Sequence, residues 1–199
     1  EMRENAEEHK ERVMNRGDHG TGNTMRLAVA LLATLLGLPA TAQLNVGETP
    51  PTVILDGESG GRVGGGAWSS DSLTGKVHIL MYVDPDKVKV NAHVEDALAA
   101  QNFDRSRVTS VAIINMAATW KPNFAIDLLL KSKQEKFPNT LYIRDLKRVL
   151  VGAWGLVDDG YHVLVIAPDG RIIFSGANAL SDSQVEQLIA TIRHHAEPS

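Results

Sequence analysis

The run Val77-His78-Ile79-Leu80-Met81-Tyr82-Val83 does most to limit what this chain can become. A near-continuous apolar run suits a strand covered on both faces, the central position of an α/β sheet. The residues that follow change character at once. Asp84-Pro85-Asp86 is a turn signal, and Val90, Val94 and Leu98 then recur at helical spacing. Two helix starts fit: Asp84 as N-cap with Pro85 at N1, or Asn91 as the cap of a shorter helix. Open α/β sheets bind ligands in crevices at the carboxyl ends of their strands, which puts the residues from Asp84 onward in a position to do chemistry.

The pattern around this unit supports the same class. Thr52-Val53-Ile54-Leu55 reads as a short strand, and the glycine-rich stretch 56–66 as a turn or loose hairpin. No apolar helix follows that stretch, so it lacks the helix N-terminus a phosphate-binding loop needs. Val108–Ile114 reads as a second buried strand, and residues 115–122 as a loop holding Trp120. The spacing predicts a helix over 123–136, with Ile126, Leu129, Leu130 and Phe137 inward and Pro138 as its stop. Thr140–Ile143 reads as a strand, and Val149–Leu156 is too short and apolar to type. Val163–Ala167, a Pro168-Asp169-Gly170 turn and Arg171–Phe174 form a hairpin. The final helix opens with a capping box, Ser181 at N-cap and Gln184 at N3, with Leu180 stapled to Val185. Val185, Leu188, Ile189 and Ile192 face the core, while Arg193, His194 and His195 suit the negative end of the helix dipole. Alternation ending in a hairpin and a helix implies an α/β fold with a central mixed sheet and helices on both faces.

The chain is 43% apolar and 22% charged, with a formal charge of −4, so neither nucleic acid nor an anionic membrane is favoured as a partner. There is no cysteine. That excludes thiol nucleophiles, disulfides, zinc-thiolate sites and iron–sulfur clusters. Met25-Arg26, the apolar run Leu27–Leu38, Pro39 and the Ala40-Thr41-Ala42 site together read as a secretory signal peptide cleaved after Ala42. The apolar run is shorter than the roughly 20 residues a membrane span requires, so no stable span remains after cleavage. Residues 1–24 are a polar upstream extension, consistent with a start set too early and with Met25 or Met14 as initiator. The expected domains are therefore 1–24, the signal peptide 25–42, and one folded domain over 43–199, with a periplasmic address.

Several stretches resemble the thioredoxin superfamily: "VGETPPTVILDGESG", "LTGKVHILMYV", "VTSVAIIN" and "VLVIAPDGRIIFSGANALSDSQVEQLIATI". "GKVHIL", "IIN" followed by Ala117, "GAWGL" and "DGRIIFSGANALS" resemble, more closely, the YtfJ family of bacterial periplasmic proteins. The resemblance spans residues 44–193. It implies a thioredoxin-like fold and a periplasmic location, and it implies no reaction. Working thioredoxins carry Cys-x-x-Cys at the start of the helix after the first long strand; here that region is Asp84-Pro85-Asp86-Lys87-Val88-Lys89-Val90-Asn91. The position of their cis-proline is occupied by Tyr161. Both halves of the redox site are missing.

A fold of this kind places Asp84 and Asp86 near Asp158, Asp159 and His162 at one end of the sheet. Oxygen ligands and an imidazole could hold a divalent cation, while Asp84 as a cap and Asp158-Asp159-Gly160 as a turn account for the same residues structurally. His78 and His93 lack a paired nucleophile or carboxylate, and Ser69 or Ser70 offers only a formal triad. Trp68 and Trp154 read as packing residues, whereas Trp120 stands out in a polar loop. Two functional classes follow. One is a non-redox binding or adaptor module acting on a periplasmic protein or small ligand through Asp84, Asp86, Asn115, Trp120, Tyr161 and His162. The other is a metal-assisted or acid/base enzyme using Asp84, Asp86 and His162. No catalytic residue, resident metal or cofactor is assigned in the first, and oligomeric state is open.

Overall fold

The computed structural model describes residues 44–197, which form a mixed six-stranded sheet with a core on each face. The signal-peptide, cleavage and upstream-extension expectations fall outside the described residues. The twelve elements run β1 (Ile54–Leu55), β2 (Gly60–Arg62), β3 (Trp68–Ser69), β4 (Val77–Val83), α1 (Ala92–Ala100), β5 (Val108–Asn115) and α2 (Asn123–Lys136), then β6 (Thr140–Asp145), α3 (Val149–Trp154), β7 (Tyr161–Ile166), β8 (Ile172–Ala177) and α4 (Asp182–Ala196). The strand order is β2-β6-β5-β4-β7-β8, with β1 and β3 paired separately.

The apolar run Val77–Val83 is central, as its composition requires. β4 lies between β5, to which it is parallel, and β7, to which it is antiparallel. Alternate residues feed opposite cores. Val77, Ile79 and Val83 join Val94 of α1, Ile126 and Leu130 of α2, and Leu188 and Ile192 of α4. Leu80 and Tyr82 join Leu150 and Trp154 of α3, and Trp68 and Leu55 of the small sheet. Helices therefore cover both faces, as expected, with the short α3 and the β1–β3 pair sharing the second face. Trp68 and Trp154 are packed in this core, and the Trp154 indole N–H donates to the Pro51 carbonyl at 2.8 Å.

Two readings left open by the sequence are resolved, and two others are corrected. α1 begins at Ala92 with Asn91 at its cap, so the shorter of the two helix starts is the real one. The Asn91 side chain does not cap; it is buried and spans to the last loop, donating to the Asn178 carbonyl (2.8 Å) and accepting from the Leu180 N–H (2.9 Å). Residues 60–62 are not turn but an edge strand on β6. Gly60 permits it: at φ 134° a Cβ would stand 1.9 Å from the Arg144 carbonyl oxygen. Residues 149–154 are helical, with their first N–H groups taken by the buried Asp145 carboxylate. Finally, Leu129 and Phe137 do not face inward. Ile126 and Leu130, one turn apart, form the buried stripe of α2, and Leu129 falls a quarter-turn outside it.

Candidate functional site

β4, β5 and β6 run the same way and β7 runs against them, so the ends of β4, β5 and β6 and the start of β7 share one rim. Val83 sits beside Ile114 on one side and Tyr161 on the other, and Asn115 sits beside Asp145. This register gathers Asp84, Asn115 and Tyr161 as the sequence suggested. The Asp158–Gly160 loop then folds across them. The Asp84 N–H donates to the Gly160 carbonyl at 2.9 Å, and the Asn115 amide donates to both the backbone carbonyl and Oδ1 of Asp158, each at 2.9 Å.

The crevice expected at this rim is therefore filled. Asp84 is 1% exposed, and Asn115, Tyr161 and His162 are buried. Asp84 Oδ1 accepts the Asp86 N–H at 2.8 Å, while Oδ2 has no donor. Loss of hydration raises the pKa of Asp84; the Asp86 N–H opposes the rise, and the Asp159 carboxylate adds to it. Two carboxylates cannot hydrogen-bond to each other. A proton on Asp84 converts that repulsion into a hydrogen bond to Asp159. Asn115 Oδ1 is likewise buried without a donor.

The remaining candidates point elsewhere. The Tyr161 hydroxyl donates to Glu95 of α1 at 2.9 Å, and burial followed by that carboxylate pushes its ionisation well up. His162 lies on the other face of the sheet, its Nε2 3.0 Å from Ser175 Oγ, and burial pulls its pKa down to about 4. Asp86 turns outward to the Thr119 hydroxyl (2.7 Å) and the Lys121 ammonium, which hold its carboxyl below the ordinary range. Asp84, Asp86 and His162 thus do not converge. Among the described residues no three His, Asp or Glu side chains are placed to hold a metal ion. Ser69 Oγ accepts the Asp71 N–H and Ser70 Oγ the Val53 N–H, so both serines have structural roles.

What the rim does present is Trp120, 86% exposed. Its loop is pinned on both sides, by Thr119 and Lys121 on Asp86 and by the Arg148 guanidinium on the Ala117 carbonyl at 2.6 Å. Phe124 (74% exposed), Leu128 (71%) and Leu129 (66%) continue the apolar surface along α2. Trp120 was singled out from the sequence, and the other three were missed. Their signal was present: Trp120, Phe124 and Leu128 recur every four residues, out of step with the buried pair Ile126 and Leu130.

The family profile described as "Bacterial protein of unknown function (YtfJ_HI0045)" matches residues 55–195. The chain belongs to this family. The uncharacterized protein YtfJ of Escherichia coli strain K12 is 28% identical over 175 residues, covering 83% of this chain and 95% of the relative. An uncharacterized protein of Haemophilus influenzae is 26% identical over 129 residues, covering 63% of this chain and 70% of the relative. Among solved structures, one assigned as the thiol:disulfide interchange protein DsbE of Chlorobium tepidum matches with TM-score 0.54 and 17% identity, over 78% of this chain and all of that one. A thiol-disulfide isomerase from Corynebacterium glutamicum matches with TM-score 0.51 and 16% identity, over 80% of this chain and 98% of that one. These likenesses show a thioredoxin-like fold. The family member described here has no cysteine, so its side chains hold no thiol for disulfide exchange. No helix among the described residues is long and apolar enough to cross a membrane.

Proposed function

We propose that the chain is an exported, non-redox docking module that holds a partner protein on the outer face of α2. The observation that carries this reading is the exposure of Trp120 next to Phe124, Leu128 and Leu129. The two aromatic rings alone offer on the order of 300 Å² of accessible surface, comparable to the largest apolar patch of an ordinary monomer. A tryptophan on a pinned loop is ordered before the partner arrives, which lowers the entropic cost of binding, and tryptophan is enriched among residues that dominate interfaces. Lys131, Lys133 and Lys136 follow the ridge along α2, which also carries Glu135 and an Asp127 paired with Arg144. The partner this fits is a protein with an apolar groove edged by carboxylates. The signal-peptide pattern of residues 25–42 supports the periplasm as the place of action, with cleavage after Ala42.

The test is site-specific photocrosslinking of the full chain expressed in a bacterial host. A photoreactive phenylalanine at position 128 should give one discrete protein adduct that disappears in W120A. The same group at the exposed position Glu186 on α4 should give none. Adducts that are absent, or equal at both positions, refute the docking face. N-terminal sequencing of the envelope form should begin at Gln43, and recovery in the cytoplasm with an uncleaved N-terminus refutes export.

A further inference from the structure

The opposite end of the sheet carries a second, chemically different feature. Where β4, β5 and β6 begin, two hollows of about 410 Å³ and about 330 Å³ adjoin and share Lys76, Thr109 and Leu141. Arg62 and His78 line the larger and Arg105 the smaller, and no carboxylate lines either. We infer that this groove is a binding site for a phosphate group, free or carried on an organic ligand, held by Arg62, Lys76 and the Thr109 hydroxyl.

The donors are unspent. Neither Arg62, Lys76 nor Arg105 enters a salt bridge among the described residues. The Lys76 ammonium makes one internal bond, to the Arg105 carbonyl at 3.2 Å, leaving its other protons free. Asp104, whose ionisation Lys76 favours, is held by the Ser106 N–H and lines neither hollow. His78 Nδ1 bonds the Lys76 carbonyl at 3.0 Å, which fixes the ring and the strand end that carries Lys76. Lys76 lines both hollows, with one guanidinium in each, and an oxyanion bound there would offset this positive charge. A planar guanidinium, an ammonium and a hydroxyl together supply the several donors that a phosphate accepts, and the guanidinium fork matches two of its oxygens at once. The larger hollow exceeds the volume of a phosphate and leaves room for an organic carrier. This site is separate from the α2 face and stands or falls independently of it.

The experiment uses the full chain, with inorganic phosphate followed by calorimetry and phosphorus NMR line width, and chloride at matched ionic strength as the control. Flotation with phosphatidylcholine vesicles, with and without phosphatidic acid, supplies the second arm. Saturable binding of inorganic phosphate that weakens at least tenfold in R62Q/K76Q, and less in T109V, supports a small phosphate ligand. Flotation that requires phosphatidic acid and is lost in R62Q/K76Q supports a lipid-borne one. K87Q, beyond the carboxyl end of β4 and lining neither hollow, should bind as the parent does, and unchanged unfolding midpoints show that the variants fold. Absence of both kinds of binding, or binding that survives in R62Q/K76Q, overturns the site.

Discussion

Asp84→Asn should make the protein more stable at neutral pH, although it removes a charge from a chain of ordinary composition. Asp84 is buried, its Oδ2 lacks a donor, and Asp159 lies close enough to accept a hydrogen bond only when Asp84 is protonated. Asparagine keeps an acceptor for the Asp86 N–H and brings a permanent donor toward Asp159. Relieving one buried unsatisfied oxygen is worth about 1–3 kcal/mol. Repulsion from Asp159 adds little, because that side chain is largely exposed and solvent screens it. In a domain of this size each kcal/mol moves the unfolding midpoint by about 2–4 °C, so the expected rise is roughly 2–12 °C. The sign of the pH dependence follows from the direction of the shift. The folded pKa lies above the unfolded one, so the folded state holds the proton more tightly; the penalty is absent below the unfolded pKa and grows as pH rises through the folded one. The advantage of the variant should vanish near about pH 3, open above the ordinary carboxylate range of about 4, and be complete once Asp84 is ionised in the folded parent. Thermal unfolding of both proteins across this range decides it. Equal midpoints at neutral pH, or a gap of the same size in acid, would show that the Asp84 carboxylate carries no such penalty.

The second prediction concerns His162, whose folded pKa of about 4 lies below the ordinary 6.5. Its contribution to stability should be complete above about pH 6.5 and lost as pH falls toward about 4, on the order of 3 kcal/mol in all; an imidazole proton titration with a midpoint near 6.5 in the folded protein would contradict it. Trp154→Ala should cost about 3–5 kcal/mol in urea unfolding, because it empties the second core and strips the Pro51 carbonyl of its donor. Gly60→Ala should release β2 from β6 and leave β5, β4, β7 and β8 protected, read as fast hydrogen exchange confined to residues 60–62 and their partners on β6; unchanged protection there would mean the backbone moves aside cheaply. Acrylamide should quench Trp120 readily and leave Trp68 and Trp154 shielded, and uniform quenching would contradict the exposed placement of Trp120.

Residues 77–83 dictate a central strand because seven largely apolar side chains in a row have no polar face to give to water. The capping box at Ser181 fixes the start of α4 locally, and the structure keeps both of its hydrogen bonds. The missing thiols follow from the residue list alone. Pairing decided the rest. β2 cannot be read from Gly60-Gly61-Arg62, because its strand character comes from hydrogen bonds to residues 143–145, more than eighty positions away. α3 is too short to carry its own signal, and the Asp145 carboxylate at the end of β6 organises its first turn.

The candidate site divides the same way. Adjacency of Asp84, Asn115 and Tyr161 follows from their places at strand ends, which the order of elements sets. Whether the rim is open depends on how the Asp158–Gly160 loop lies, and that is settled by the Asp84–Gly160 and Asn115–Asp158 bonds between distant segments. Successive residues of a strand point to opposite faces, so His162 parts from Tyr161 because they are neighbours in β7. The sequence by itself determined that this chain folds as an α/β sheet without thiol chemistry, because burial patterns and residue types are local properties. Only the tertiary structure decided that the rim is closed, that Trp120 and Phe124 face water, and that Arg62 and Lys76 meet in one groove, because exposure and proximity belong to the packed whole.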